Sequence, residues 1–175
     1  MSVVTLVGNP REGSRTRSVA VEAAEAVARR LGLPGANDVV DLSALGPHLL
    51  APGPVPGVEV ALELVAEARV LVVASPTYKG TYTGLLKAFV DRLRPEALAG
   101  VVALPLLVMG DAKHTLAVEV HLRPLLVELG ATVPTPGLAV LESQLPGLGE
   151  ILNGWADRVA PQVAAALAVG QPATA

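Results

Sequence analysis

Apolar positions along this chain follow two alternating rhythms: short continuous runs, and stripes spaced every three or four residues. Val3-Val4-Thr5-Leu6-Val7 is a run that ends in Gly8-Asn9-Pro10, the pattern of a buried strand closing in a turn. From about Thr16 the period changes, with Val19, Ala23, Val27 and Leu31 recurring every fourth residue and Glu22, Glu25, Arg29 and Arg30 off that stripe. This predicts an amphipathic helix that stops at Gly32. Val39-Val40 and Leu42 predict a second short strand, Pro47 to Pro56 an irregular surface loop, and Val58 to Ala68 a helix. Val70 to Ala74 is apolar at every position, as expected of a central strand in a parallel sheet. A helix is expected over about Thr83 to Leu93, and a strand over Val101 to Met109 with a bulge or local break at Pro105. A further helix is expected over about Thr115 to Leu129, and a last strand near Leu138 to Leu141. A C-terminal helix near Leu148 to Leu167 would take Trp155 into its core, and the tail from Gly170 is expected to fray.

Strands alternating with helices predict an α/β fold of doubly wound topology. Five strands at this spacing suit a flavodoxin-like three-layer sandwich, its parallel sheet in the order 2-1-3-4-5. No repeat or second unit interrupts the pattern, so residues 1–169 are read as one domain. Of the 175 residues, 51% are hydrophobic and 17% charged, which supplies a sizeable core and excludes disorder over most of the length. No stretch approaches the roughly 20 apolar residues of a membrane span. Met1-Ser2-Val3 leads into the first strand without a basic segment, so a cytoplasmic location is expected. The absence of cysteine excludes disulfides, thiolate metal sites and thiol catalysis. A formal charge of −3 without a basic run argues against a dedicated nucleic-acid binder.

In such a sheet the ligand crevice lies beyond the carboxyl ends of the strands, between strands 1 and 3. That rule singles out three segments. In Gly8 to Ser18, Ser14 and Thr16 sit where a helix begins, a position where free backbone N–H groups and the helix dipole favour an anion. Arg11, Arg15 or Arg17 would complete a phosphate cradle. The plainer alternative is that Ser14 or Thr16 only caps the helix and the arginines are solvated. The spacing is neither that of a P-loop nor of the G-x-G-x-x-G dinucleotide turn. The second segment, Ser75 to Gly84, holds both tyrosines, Tyr78 and Tyr82, with Gly80 and Gly84 permitting close approach of a flat ligand. The alternative here is a tight turn with both tyrosines packed on the following helix, and Lys87 with Asp91 is read as an exposed pair. The third segment, Gly110-Asp111-Ala112-Lys113-His114, would close the other side. His114 and His121 lie seven apart and are expected to share a helix face, without the carboxylate–histidine set of a metal site.

Gly8-Asn9-Pro10-Arg11 followed by Ser14, Ser75-Pro76-Thr77-Tyr78, and Gly84-Leu85-Leu86-Lys87-Ala88 followed by Asp91 together resemble the NADPH-dependent FMN reductase family. The likeness extends to about residue 132. It looks closest to the reductase components of two-component alkanesulfonate monooxygenase systems, on Tyr78-Lys79 through Gly84, Leu104-Pro105-Leu106, and His114 to Pro124. The resemblance implies FMN in the strand 1/3 crevice, NADPH as hydride donor, and a homodimer or homotetramer with its interface beside the flavin. It also implies a flavin-dependent monooxygenase as possible recipient of the reduced flavin. Carried over by position, Arg11, Ser14 and Thr16 would hold the FMN phosphate, with Asn9 standing where the family usually has Ser. Pro76, Thr77, Tyr78, Lys79 and Gly80 would line the ring, and Gly110 and Asp111 would close over it, in a loop that lacks the relatives' second glycine. The sulfonate-linked reductases resemble the rest of the family with one extra residue in the helix after Thr115, a π-bulge often marked by Tyr. Val120 takes that place here and His121 follows, which leaves the bulge open.

Two other functions share this fold, the first of them with the same first half-reaction. A quinone, azo-dye or metal-ion reductase would keep its FMN tightly bound. A flavodoxin-type electron carrier would oxidise no nucleotide, but such carriers resemble strongly acidic chains with aromatic shields, unlike this near-neutral sequence with 2% aromatics. The chemistry of hydride transfer demands no side-chain acid, base or nucleophile, and no catalytic residue is assigned.

Overall fold

A computed structural model describes residues 3–35 and 38–169; the tail expected to fray from Gly170 lies outside the described residues. Strands β1 (Val3–Val7), β2 (Asp38–Asp41), β3 (Val70–Pro76), β4 (Val102–Met109) and β5 (Leu138–Leu141) form one parallel sheet in the order β2-β1-β3-β4-β5. Helices α1 (Arg15–Arg30) and α5 (Leu148–Val169) cover one face, and α2 (Pro56–Ala66), α3 (Gly84–Val90) and α4 (Arg123–Glu128) the other. The expected flavodoxin-like sandwich is therefore the fold. β1, β3 and β4 are buried at every position, which explains their uninterrupted apolar runs. The two-residue strand period divides them between the faces. Val70, Val72 and Ala74 pack with α1 and α5, while Leu71 and Val73 pack with Phe89 and Leu122. Trp155 lies in the first of these cores, as expected.

Three expectations need correction. Pro105 causes no break: β4 runs through it, with Pro105 opposite Val73. Val102 N–H donates towards β3, to the Arg69 carbonyl, whereas Ala103 N–H donates to the Thr132 carbonyl on the β5 side. By this alternation the proton Pro105 lacks also faces the β5 side, where pairing begins only at Leu106 and Leu138. The missing donor therefore leaves the β3 ladder intact. Next, Pro47 is not in irregular loop but inside a 3-10 turn, Gly46–His48. Finally, the segment expected as a helix over Thr115 to Leu129 is composite. A 3-10 turn at Ala112–His114 leads to a π-helix at Val118–Leu122, which runs into α4.

Candidate functional site

At the carboxyl end of β1 the chain must pass close to α3. A Cβ on Gly8 would lie 2.7 Å from Leu86 Cβ, so only glycine fits without a shift. Thr83 fixes this approach: its hydroxyl donates to the Gly8 carbonyl at 2.6 Å and accepts from Leu86 N–H at 3.1 Å, capping α3. Thr83 N–H donates to Ser75 Oγ at 3.0 Å, which ties the loops after β1 and β3 into one unit. Next in the chain, buried Asn9 accepts from Arg11 N–H at 2.9 Å and donates through Nδ2 to Thr16 Oγ1 at 3.0 Å. Asn9 thus folds the loop back onto the first turn of α1. Ser14 caps that helix, its Oγ accepting from Arg17 N–H at 3.2 Å, and the first turn carries no acidic residue.

The loop after β3 is a two-residue reversal. Tyr78 and Thr81 exchange N–H···O bonds of 2.9 and 3.3 Å, and Lys79 and Gly80 have φ of 54° and 85°. Positive φ at both central positions defines a type I′ turn, unusual for a lysine. The tyrosines divide between the two readings: Tyr82 packs against the core, while Tyr78 stays exposed at the cleft. Thr77 N–H donates to the Val108 carbonyl, joining the turn to β4, and its buried Oγ1 has no partner among the described residues.

A cleft of about 410 Å³ brings together Asn9, Arg11, Ser14, Thr16, Pro76 and Tyr78 from the expected set. Thr77, Lys79 and Gly80 continue the adjoining turn; Gly110 and Asp111 do not line this cleft. Asp111 instead caps the 3-10 turn, accepting from Lys113 N–H and pairing with Lys113 Nζ, both at 2.9 Å. Those two bonds hold its carboxyl below the usual carboxylate range. The third segment reaches the second through His114, whose ring lies 3.9 Å from the place a Cβ would occupy on Gly80. His114 and His121 do not share an α-helical face, because a 3-10 turn and a π-turn separate them. His121 lines a different hollow with Thr81, Tyr82, Val120 and Pro124.

The arginines are not equivalent. Arg15 pairs with Glu142 at 3.0 Å and Arg17 with Asp41 at 3.5 Å, whereas Arg11 has no ion pair among the described residues. Glu142 escaped the sequence reading, although it directly follows β5 and so obeys the same carboxyl-edge rule as the other loops.

The fold is that of a flavodoxin-like α/β protein, with a cleft at the β1/β3 switch point where such sheets take their ligands. The sequence model of the family described as NADPH-dependent FMN reductase matches residues 1–145, and the chain belongs to that family. The FMN reductase (NADPH) of Escherichia coli K12 is 36% identical over 147 residues, 83% of this chain and 75% of the relative. The NADH-dependent FMN reductase SfnE of Pseudomonas putida is 29% identical over 83% of this chain and 79% of its own. Among solved structures, the apo form of an NADH:FMN oxidoreductase, EmoB, superposes with a TM-score of 0.81 at 33% identity. It covers 91% of this chain and 88% of that one.

Proposed function

We propose that this protein reduces FMN with a nicotinamide nucleotide, NADPH being the donor the family description carries. The observation that carries the reading is the cleft itself. It joins the N-terminus of α1 and an unpaired Arg11 to Pro76 and Tyr78 at the switch between β1 and β3. These residues fit FMN: Arg11, Ser14 and the first N–H groups of α1 would bind its phosphate. Pro76, Thr77 and the Tyr78–Thr81 turn would border its ring, and buried Thr77 Oγ1 has a hydrogen bond still to make. When bound, FMN supplies the hydride acceptor, and the chemistry asks of the protein only position and electrostatics. Asn9 holds the phosphate loop and Thr83 holds that loop against the start of α3, while the His114 ring lies near Gly80.

The reading extends to a homo-oligomer and to a flavin-dependent monooxygenase that receives reduced flavin in the cytoplasm. The π-helix at Val118–Leu122 supports the kinship with sulfonate-linked reductases. Anaerobic stopped-flow with FMN and NADPH tests the reaction by following flavin absorbance. Repeated turnover of free FMN is the expected result; bleaching of a single bound equivalent would indicate a prosthetic flavin, and binding without bleaching an electron carrier.

A further inference from the structure

The cleft that would take the FMN phosphate is not a cationic one. Its charged lining is Arg11 and Arg15 against Glu12 and Glu142, two of each sign. A phosphate monoester carries about −1.5 to −2 charges at neutral pH, so side-chain charge gives it no net attraction here. Arg15 is already engaged, its Nη2 lying 3.0 Å from Glu142 Oε1 across the mouth of the cleft. Glu142 sits at the first position of the 3-10 segment Glu142–Gly147, directly after β5, and β5 holds it at the carboxyl edge of the sheet. An incoming phosphate must draw Arg15 away from Glu142 or approach a site whose second cation is neutralised. Either way Glu142 ends as a like charge beside the ligand.

We propose that Glu142 sets the affinity of this site, competing with the phosphate for Arg15 and keeping the flavin exchangeable. The inference rests on the FMN reductase reading above and deepens it: it assigns to one carboxylate the difference between flavin as passing substrate and flavin as fixed prosthetic group. The test compares wild type with Glu142→Gln, which keeps shape and hydrogen-bonding reach and removes the charge. Each is titrated at low ionic strength with FMN and with riboflavin, which lacks the phosphate. Glu142→Gln should tighten FMN binding by about three- to fivefold, the factor expected when a half-exposed charge contact is removed. FMN release should slow, and riboflavin affinity should not move. Added salt should shrink the difference. Unchanged or weaker FMN binding in the variant overturns the proposal, and so does an equal shift for riboflavin, which would trace the effect to cleft shape. Wild-type protein that fails to bind FMN would instead overturn the reductase reading itself.

Discussion

Gly8 has its Cα so near α3 that an added methyl would meet Leu86 Cβ, an atom fixed by the helix backbone that cannot swing aside. Gly8→Ala should therefore lower stability by about 1–3 kcal/mol, the usual cost of forcing an extra group into a packed site. Denaturant unfolding measures this, and an unchanged midpoint would mean that the two loops are free to separate. Arg11 gives the sharper functional test. Among the described residues it alone of the loop arginines is unpaired, so Arg11→Ala should weaken FMN binding by about 1.5–3 kcal/mol, the range for hydrogen bonds to charged groups. Arg17→Ala should cost less, because Arg17 is turned to Asp41 and lines the neighbouring hollow. Equal losses in both variants, read by fluorescence titration, would remove Arg11 from its special place. At this scale the sequence exposed the polar residues of each loop but not all of their commitments. That Asp111 is engaged by Lys113 two residues on follows a local Asx-type pattern, whereas Arg15 on Glu142 depends on geometry that local spacing does not encode. Glu142 was findable from its place directly after β5, but not its pairing, because Arg15 lies at the far end of the chain.

Among the elements, what repeats was legible and what departs from repetition was not. The continuous apolar runs gave β1, β3 and β4 nearly to the residue, since all three are buried on both faces. Pro105 misled because a proline's effect depends on which neighbour its missing proton would face, and a single strand does not reveal its partners. The π-helix at Val118–Leu122 has no distinct residue pattern either; it is fixed by tertiary contacts. Glu119 accepts from Gly137 N–H at 2.5 Å and from Arg123 Nε at 2.5 Å, while Arg123 donates to the carbonyls of Val133 and Thr135. One ion pair thus straps the π-segment to the connection leading into β5. Arg123 and the Gly137 N–H hold the Glu119 carboxyl below its ordinary value. A carboxylate depressed on folding adds stability above its unfolded pKa and loses it as pH falls through the folded one. Glu119→Gln should accordingly destabilise the protein near neutrality, by about 1–2 kcal/mol for a partly exposed charged network. It should also flatten the loss of stability on acidification. Melting curves from neutral pH downward check this; wild type and variant falling in parallel would show that the strap carries no charge-dependent energy.

For the molecule as a whole, the three layers bury the sheet yet leave one helical face uncovered. Leu116 just before the π-helix, Val120 within it and Val127 in α4 are 69%, 56% and 54% exposed, and Val120 shares a hollow with Pro124. Val120 and Pro124 adjoin Thr81 and Tyr82 at the end of the Tyr78–Thr81 turn. A stripe of this kind beside a ligand site is the expected signature of a contact between protein surfaces. The homo-oligomer proposed above would place a second copy of the chain there. Packing two copies there would shield the turn proposed to border the ring and so would couple assembly to flavin binding. A carboxylate at Val120 would be buried without a partner in such a contact, at a cost of several kcal/mol, yet solvated and harmless in the monomer. Sedimentation should then show wild type as a dimer or tetramer and Val120→Glu as a smaller species with unchanged far-UV circular dichroism. Wild type already sedimenting as a monomer would leave the stripe for another partner, and an unchanged assembly in the variant would put the interface elsewhere on the molecule.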